Sequence, residues 1–76
     1  MYWVYGGKNS PNTKMVVNTI QQFYMKYKYV DTDEDDVARN YIGQYGHTEP
    51  PVVFWNNVYV GGYLEFREDI PARANG

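Results

Sequence analysis

The sequence predicts an α/β fold, a four-stranded mixed sheet flanked by three helices in the order βαβαββα. Three observations lead to it. Tyr2-Trp3-Val4-Tyr5 is an aromatic and β-branched run that turns through Gly6-Gly7 into a helix start. Two later segments carry apolar residues at helical spacing. Asn56-Asn57 then separates two short β-branched and aromatic runs, as the two-residue turn of an antiparallel hairpin does.

Taken in order, Tyr2 to Tyr5 is apolar at every position, which predicts a central strand covered on both faces. Ser10 is a good helix N-cap, and Pro11 suits the first helical position because its missing N–H would have no intrahelical partner there. Val16, Ile20, Phe23, Tyr24 and Tyr27 recur at helical spacing and predict one buried stripe. A second strand is expected over Lys28 to Asp31, parallel to the first through a right-handed crossover. Thr32 or Asp33 can cap the next helix, whose pattern runs through Val37, Ala38, Tyr41, Ile42 and Tyr45 to a stop at Gly46. The acids from Asp31 to Asp36 fit the positive end of that helix. As a calcium loop they fail, with Asp36 where glycine is needed and Ile42 where a bidentate Glu is needed. His47 to Pro51 is a polar loop, Val52 to Trp55 a strand, and Val58 to Val60 its hairpin partner. Gly61-Gly62 ends that strand. Tyr63, Phe66 and Ile70 are spaced as the core face of a last helix that Pro71 is expected to stop, leaving Ala72 to Gly76 as a loose tail.

Seventy-six residues make one domain, 1–76. Cysteine is absent, so neither disulfides nor thiolate metal sites can form, and no metal is expected. The formal charge of −2 argues against a nucleic-acid partner, although Lys8, Lys14, Lys26 and Lys28 all precede the first acid. No signal-like segment opens the chain and no apolar run approaches the ~20 residues of a membrane span, so a soluble, cytoplasmic, monomeric protein is expected. The stretch from Gly6 to Thr13 places backbone N–H groups and a positive helix end at one exposed spot, an arrangement that binds anions and lowers the pKa of a thiol.

Three motifs in this order resemble the glutaredoxins of the thioredoxin-fold superfamily. Tyr5 followed by Ser10-Pro11-Asn12-Thr13 is similar to the family's strand end and Cys-Pro-Tyr-Cys. Gly46-His47-Thr48-Glu49-Pro50-Pro51-Val52-Val53-Phe54 is similar to Gly-Arg-Thr-Thr-Val-Pro-x-Val-Phe. Phe54 keeps the family's interval to Gly61-Gly62. The resemblance implies a thioredoxin-like fold. It also implies a glutathione-dependent thiol–disulfide oxidoreductase that passes electrons to disulfide-containing proteins, with glutathione as co-substrate. By position, Ser10 replaces the nucleophilic cysteine and Thr13 the resolving one. Pro51 matches the family's cis-proline, with Pro50 as second choice. Glutathione would lie along Pro50 and Pro51 with its γ-glutamyl end at Gly61, Gly62, Tyr63, Leu64 and Glu65, and with Lys8 and Asn12 flanking the reactive position.

The departures bear on chemistry. A hydroxyl at position 10 forms no mixed disulfide, so thiol–disulfide exchange is lost. Pro50 keeps a carbonyl but lacks the N–H that would pair with the cysteinyl unit of glutathione. Leu64 stands where the family usually has Asp, and Asn12 replaces an aromatic residue. Either an active dithiol protein has had both cysteines replaced, or this is a thiol-less relative that binds glutathione. Two other chemistries fit less of the chain. Ser10 could stabilise the thiolate of bound glutathione, as in glutathione transferases, but their second helical domain is missing. A hydrolase built on Ser10, His47 and Glu49 would need an oxyanion hole as well. A scaffold without either activity is the remaining class.

Overall fold

The computed structural model describes residues 1–46 and 49–75, so His47, Thr48 and Gly76, with the loop and tail expectations that fall on them, lie outside the described residues. Seven elements follow in the expected order: β1 (Tyr2–Gly6), α1 (Pro11–Gln22), β2 (Tyr27–Asp31), α2 (Asp36–Gly43), β3 (Val52–Trp55), β4 (Val58–Gly61) and α3 (Tyr63–Asn75). The sheet order is β2-β1-β3-β4. β1 pairs in parallel with β2, from Tyr2 opposite Tyr27 to Gly6 opposite Asp31, and antiparallel with β3. The hairpin turn between β3 and β4 holds Asn56 at φ 47 and Asn57 at φ 71, the two left-handed positions that a type I′ turn requires and that asparagine tolerates.

Alternation along β1 divides the core into two layers. Tyr2 and Val4 point with Val53 into the layer under α1 and α3, against Val16, Ile20, Phe66 and Ile70. Each such aliphatic or aromatic side chain, taken fully from water, contributes roughly 1.5–3 kcal/mol. The opposite face carries Val52 and Phe54 against Ile42 of α2, with Trp3 and Tyr5 packed beside them. That face is covered only in part. α2 is eight residues long and buries only Ala38 and Ile42, so Trp3 and Tyr5 remain half-buried rather than enclosed as the apolar run had suggested.

Four local expectations are corrected. The buried stripe of α1 stops at Ile20. Phe23 is 41% exposed and Tyr24 96% exposed, and Tyr27 belongs to β2. The helix closes there in a Schellman motif. The Met25 N–H donates to the Ile20 carbonyl at 3.2 Å, the Tyr24 N–H donates to Gln21 at 3.0 Å, and Tyr24 takes φ 55. Closure at this point lets β2 begin opposite Tyr2.

Asp35, not Thr32 or Asp33, caps α2, its Oδ1 accepting the Ala38 N–H at 3.0 Å. Thr32 is instead buried, its N–H donating to the Gly6 carbonyl at 3.1 Å. α2 ends at Gly43, and Gly46 (φ 73) lies three residues on, ending the turn that contains Tyr45.

Pro71 sits inside α3, which continues to Asn75. Proline removes one helical hydrogen bond, but tertiary contacts hold the helix on both sides of it. Ile70 is 2% exposed. The Tyr2 hydroxyl donates to Asp69 Oδ2 at 2.6 Å, Arg73 Nε donates to the same oxygen at 3.2 Å, and the Arg73 guanidinium lies 5.2 Å from the Trp55 ring centre.

Candidate functional site

The turn from β1 into α1 is packed too closely for side chains at its glycines. A Cβ on Gly6 would lie 2.3 Å from Thr13 Oγ1, and one on Gly7 would lie 2.5 Å from Asp33 Oδ2. Strand end and first helical turn are thereby pressed together. Ser10 adopts an extended conformation (φ −85, ψ 116) and its Oγ accepts the Thr13 N–H at 3.3 Å. The capping acceptor is therefore the residue at the nucleophile position, and its O–H hydrogen remains available to donate. Thr13 lies beneath this turn, 2% exposed, and its Oγ1 has no hydrogen-bond partner.

Beside the start of α1 opens a groove of about 640 Å³. Asn12 reaches it from α1; Glu49, Pro50 and Pro51 from the segment before β3; and Gly62, Tyr63, Leu64 and Glu65 from the start of α3. The Pro50–Pro51 bond is cis, with Pro51 buried and Pro50 exposed at the rim. Gly61 is at φ 134 and a Cβ there would lie 2.7 Å from Glu65 Oε1, so both backbone and space call for glycine. Glu65 Oε1 accepts the Gly62 N–H at 2.8 Å, while the Phe66 N–H donates to the Gly62 carbonyl at 2.9 Å. The Glu65 carboxylate therefore fastens the start of α3 from the side chain, in the manner of a capping box.

Of the residues expected at a site, Asn12, Pro50, Pro51, Gly62, Tyr63, Leu64 and Glu65 line this one groove. Lys8 does not. Its ammonium is 3.7 Å from Glu34, and the residue lines a separate hollow with Thr13, Lys14, Val17 and Tyr29 between α1 and β2. Ser10 is half-buried at the mouth of α1, and Thr13 faces the strand rather than the groove. The hydrolase constellation rests on His47, which is outside the described residues.

Of the other lining residues, Tyr45 was read as helical, Gly46 as a helix stop and Glu49 as the third group of a hydrolase, and Tyr59 carried no role beyond its strand. Tyr45 and Tyr59 stack at 4.9 Å with an interplanar angle of 16°. The signal for Tyr59 was legible. A two-residue turn puts Tyr59 opposite Phe54, hence on the same face. The position of Tyr45 follows from where α2 ends, which the helical pattern overran. Burial, followed by the nearby Glu65 charge, raises the Tyr59 phenol pKa. Burial, then the Asp35 charge, raises that of Tyr5.

The lining carries two carboxylates, Glu49 and Glu65, and no lysine or arginine among the described residues. Nor do the described residues contain a group of three or more His, Cys, Asp or Glu that could hold a metal ion, or a helix long and apolar enough to cross a membrane. Without cysteine, the site can bind, orient and donate hydrogen bonds, but holds no sulfur nucleophile.

Comparison with known proteins bears on the family and the fold. The family model described as Glutaredoxin matches residues 4–60. No curated protein matches the chain. Among solved structures, a buckwheat glutaredoxin–glutathione complex superposes with a TM-score of 0.83 at 18% identity, over 96% of this chain and 70% of the other. A dithiolic glutaredoxin from Trypanosoma brucei brucei gives 0.82 at 19% identity, over 99% and 82%. The glutaredoxin-like NrdH-redoxin of Escherichia coli gives 0.78 at 17% identity, over 95% and 91%. At these identities the structural likeness concerns the fold, which is thioredoxin-like.

Proposed function

Because the chain belongs to the glutaredoxin family, we propose that it is a thiol-less glutaredoxin that holds glutathione in the groove beside α1 without exchanging electrons with it. The observation that carries this reading is convergence. Residues from the start of α1, from the proline segment and from the start of α3, each assigned by motif, line a single groove. The cysteinyl unit lies along Pro50 and Pro51, the γ-glutamyl end lies at Gly62 to Glu65, and the sulfur points to Ser10, whose free O–H hydrogen donates to it. With cysteine at positions 10 and 13 the same frame passes electrons from glutathione to disulfides in proteins, as a cytoplasmic monomer. The α1 N-terminus favours the thiolate in that form.

Two features weaken the ligand's hold. Pro50 has no N–H, and the loss of one such hydrogen bond costs about 0.5–1.5 kcal/mol. The Glu65 carboxylate is already engaged by the Gly62 N–H. Titration of glutathione into the chain, followed by amide NMR, is expected to shift Asn12, Gly62, Tyr63 and Leu64. Shifts confined to residues away from this groove would overturn the reading. The double variant Ser10→Cys/Thr13→Cys is expected to reduce a mixed disulfide at the expense of glutathione. A folded, reduced double variant without turnover would remove the oxidoreductase ancestry of the site.

A further inference from the structure

A chain with nine tyrosines and no cysteine has no thiol to take up oxidising equivalents, so its phenol and indole rings are the readiest one-electron donors. Tyrosine rings meet one another on the sheet face that α2 covers only in part. Tyr5 and Tyr41 lie 5.9 Å apart between ring centres, Tyr41 and Tyr45 5.8 Å, and Tyr45 and Tyr59 4.9 Å. The last pair differs in kind. Its rings are nearly parallel, at 16°, whereas Tyr41 meets Tyr45 edge to face at 71°. Phe54 packs edge to face against both rings, 5.2 Å from Tyr45 and 5.7 Å from Tyr59, and holds them side by side. Tyr45 is 41% exposed and Tyr59 38% exposed, so a dissolved oxidant reaches both. Partial exposure also leaves each ring room to turn about its broad terminal torsion. A radical formed on Tyr5 or Tyr41 has ring contacts that lead on to Tyr45.

We infer that Tyr45 and Tyr59 form a site of oxidative cross-linking, where one-electron oxidation joins the two rings as a dityrosine. The inference is independent of what the groove binds. The oxidant is a one-electron acceptor from outside the chain, such as a peroxide-charged haem enzyme or a photo-oxidised metal complex. Each phenol gives it one electron and releases one proton to water. The two phenoxyl radicals pair their odd electrons in a bond between the ring carbons ortho to oxygen. Each of those carbons then passes its hydrogen, by way of water, to its own phenol oxygen, and both rings regain aromaticity. Two equivalents of oxidant are reduced, and the chain is lighter by two hydrogens. Contact favours this path over coupling between chains, because a ring held alongside acts at an effective concentration far above that of micromolar chains. The new bond ties the turn after α2 to β4 within the groove wall that both rings line. It is a covalent tie open to a domain that cannot form a disulfide.

The test exposes the full chain, at micromolar concentration and near neutral pH, to illuminated tris(bipyridine)ruthenium with persulfate. The dose is one that converts free N-acetyltyrosinamide. The expected product is monomer-sized, two hydrogens lighter, and carries dityrosine fluorescence. Chymotrypsin cuts after Phe54 and Trp55, so fragments bearing Tyr45 and Tyr59 leave as one branched species that tandem mass spectrometry identifies. Tyr45→Phe and Tyr59→Phe keep the rings and remove the phenols, and each is expected to lower the intrachain dityrosine yield about fivefold or more. Tyr24→Phe removes a 96% exposed phenol at the end of α1. It is expected to leave the intrachain yield unchanged and to lower the yield of cross-linked dimers. Unfolding in urea is expected to scatter the link among other tyrosines. Absence of intrachain dityrosine, links mainly at other tyrosines of the folded chain, or a yield unmoved by both groove-wall variants each overturn the inference.

Discussion

Thr13→Val is expected to stabilise the protein, although it alters the position of the resolving cysteine. Thr13 is 2% exposed and its Oγ1 has no partner, so the hydroxyl loses its water on folding and gains nothing in return. A buried donor or acceptor left unsatisfied costs about 1–3 kcal/mol. Valine removes that penalty, keeps the branched shape, and buries one more methyl group, worth about 0.8 kcal/mol. Against this stands crowding, because the new methyl must sit over Gly6 in a site already closely packed. Overpacking costs about 1–3 kcal/mol when backbone has to move. Gly6 offers no side chain to clash with the added bulk, and we expect a net gain of about 1 kcal/mol. For a domain of this size that raises the melting midpoint by about 4–8 °C. Gly6→Ala is the companion perturbation. Its Cβ would lie 2.3 Å from Thr13 Oγ1 and 2.7 Å from Cγ2, and it should cost about 1–3 kcal/mol. Thermal and urea unfolding followed by circular dichroism measure both. A Thr13→Val midpoint at or below that of the parent would refute the claim that this hydroxyl is unpaired in the folded state.

Two further outcomes follow from named contacts. Tyr24 closes α1 at φ 55 while 96% exposed, so Tyr24→Gly removes left-handed strain without uncovering the core, and is expected to raise stability by about 0.5–1 kcal/mol in urea unfolding. Burial, then the hydrogen bond to Asp69, holds the Tyr2 phenol well above the ordinary tyrosine range, so the folded state keeps this proton more firmly than the unfolded chain. The corresponding stability is fully present below about pH 10 and is lost as pH rises from there through the folded-state pKa. Alkaline unfolding of Tyr2→Phe, which has no phenol there to ionise, is expected to show a shallower loss of stability above that pH than the parent.

Much of the fold was legible because its signals are local. Ser10-Pro11 is a helix start on chemical grounds alone, and Asn56-Asn57 is a hairpin turn because few other residues accept two left-handed positions in succession. The misread segments are those where a distant contact outweighs local preference. Phe23 and Tyr24 continue the apolar period of α1, yet the helix stops so that β2 can pair with β1. Pro71 is a helix breaker by itself, yet Ile70 in the core and Asp69 between Tyr2 and Arg73 hold α3 together through it. Tyr45 was read as a helical residue because α2 was drawn too long, and so its stack on Tyr59 was missed.

By itself, the sequence determined the order of elements, the absence of sulfur chemistry, and the motifs that mark a glutaredoxin-like site. Those depend on residue identity and short spacing, which a linear chain carries in full. Tertiary structure decided where charge falls. Lys8, two residues from Ser10 in the chain, is drawn to Glu34 on the β2 side of α1. Glu49 and Glu65, separated by an entire hairpin, line the same groove. Charge acts through space, with a reach set by distance and solvent rather than by chain position, so only the folded arrangement discloses which charges share the groove.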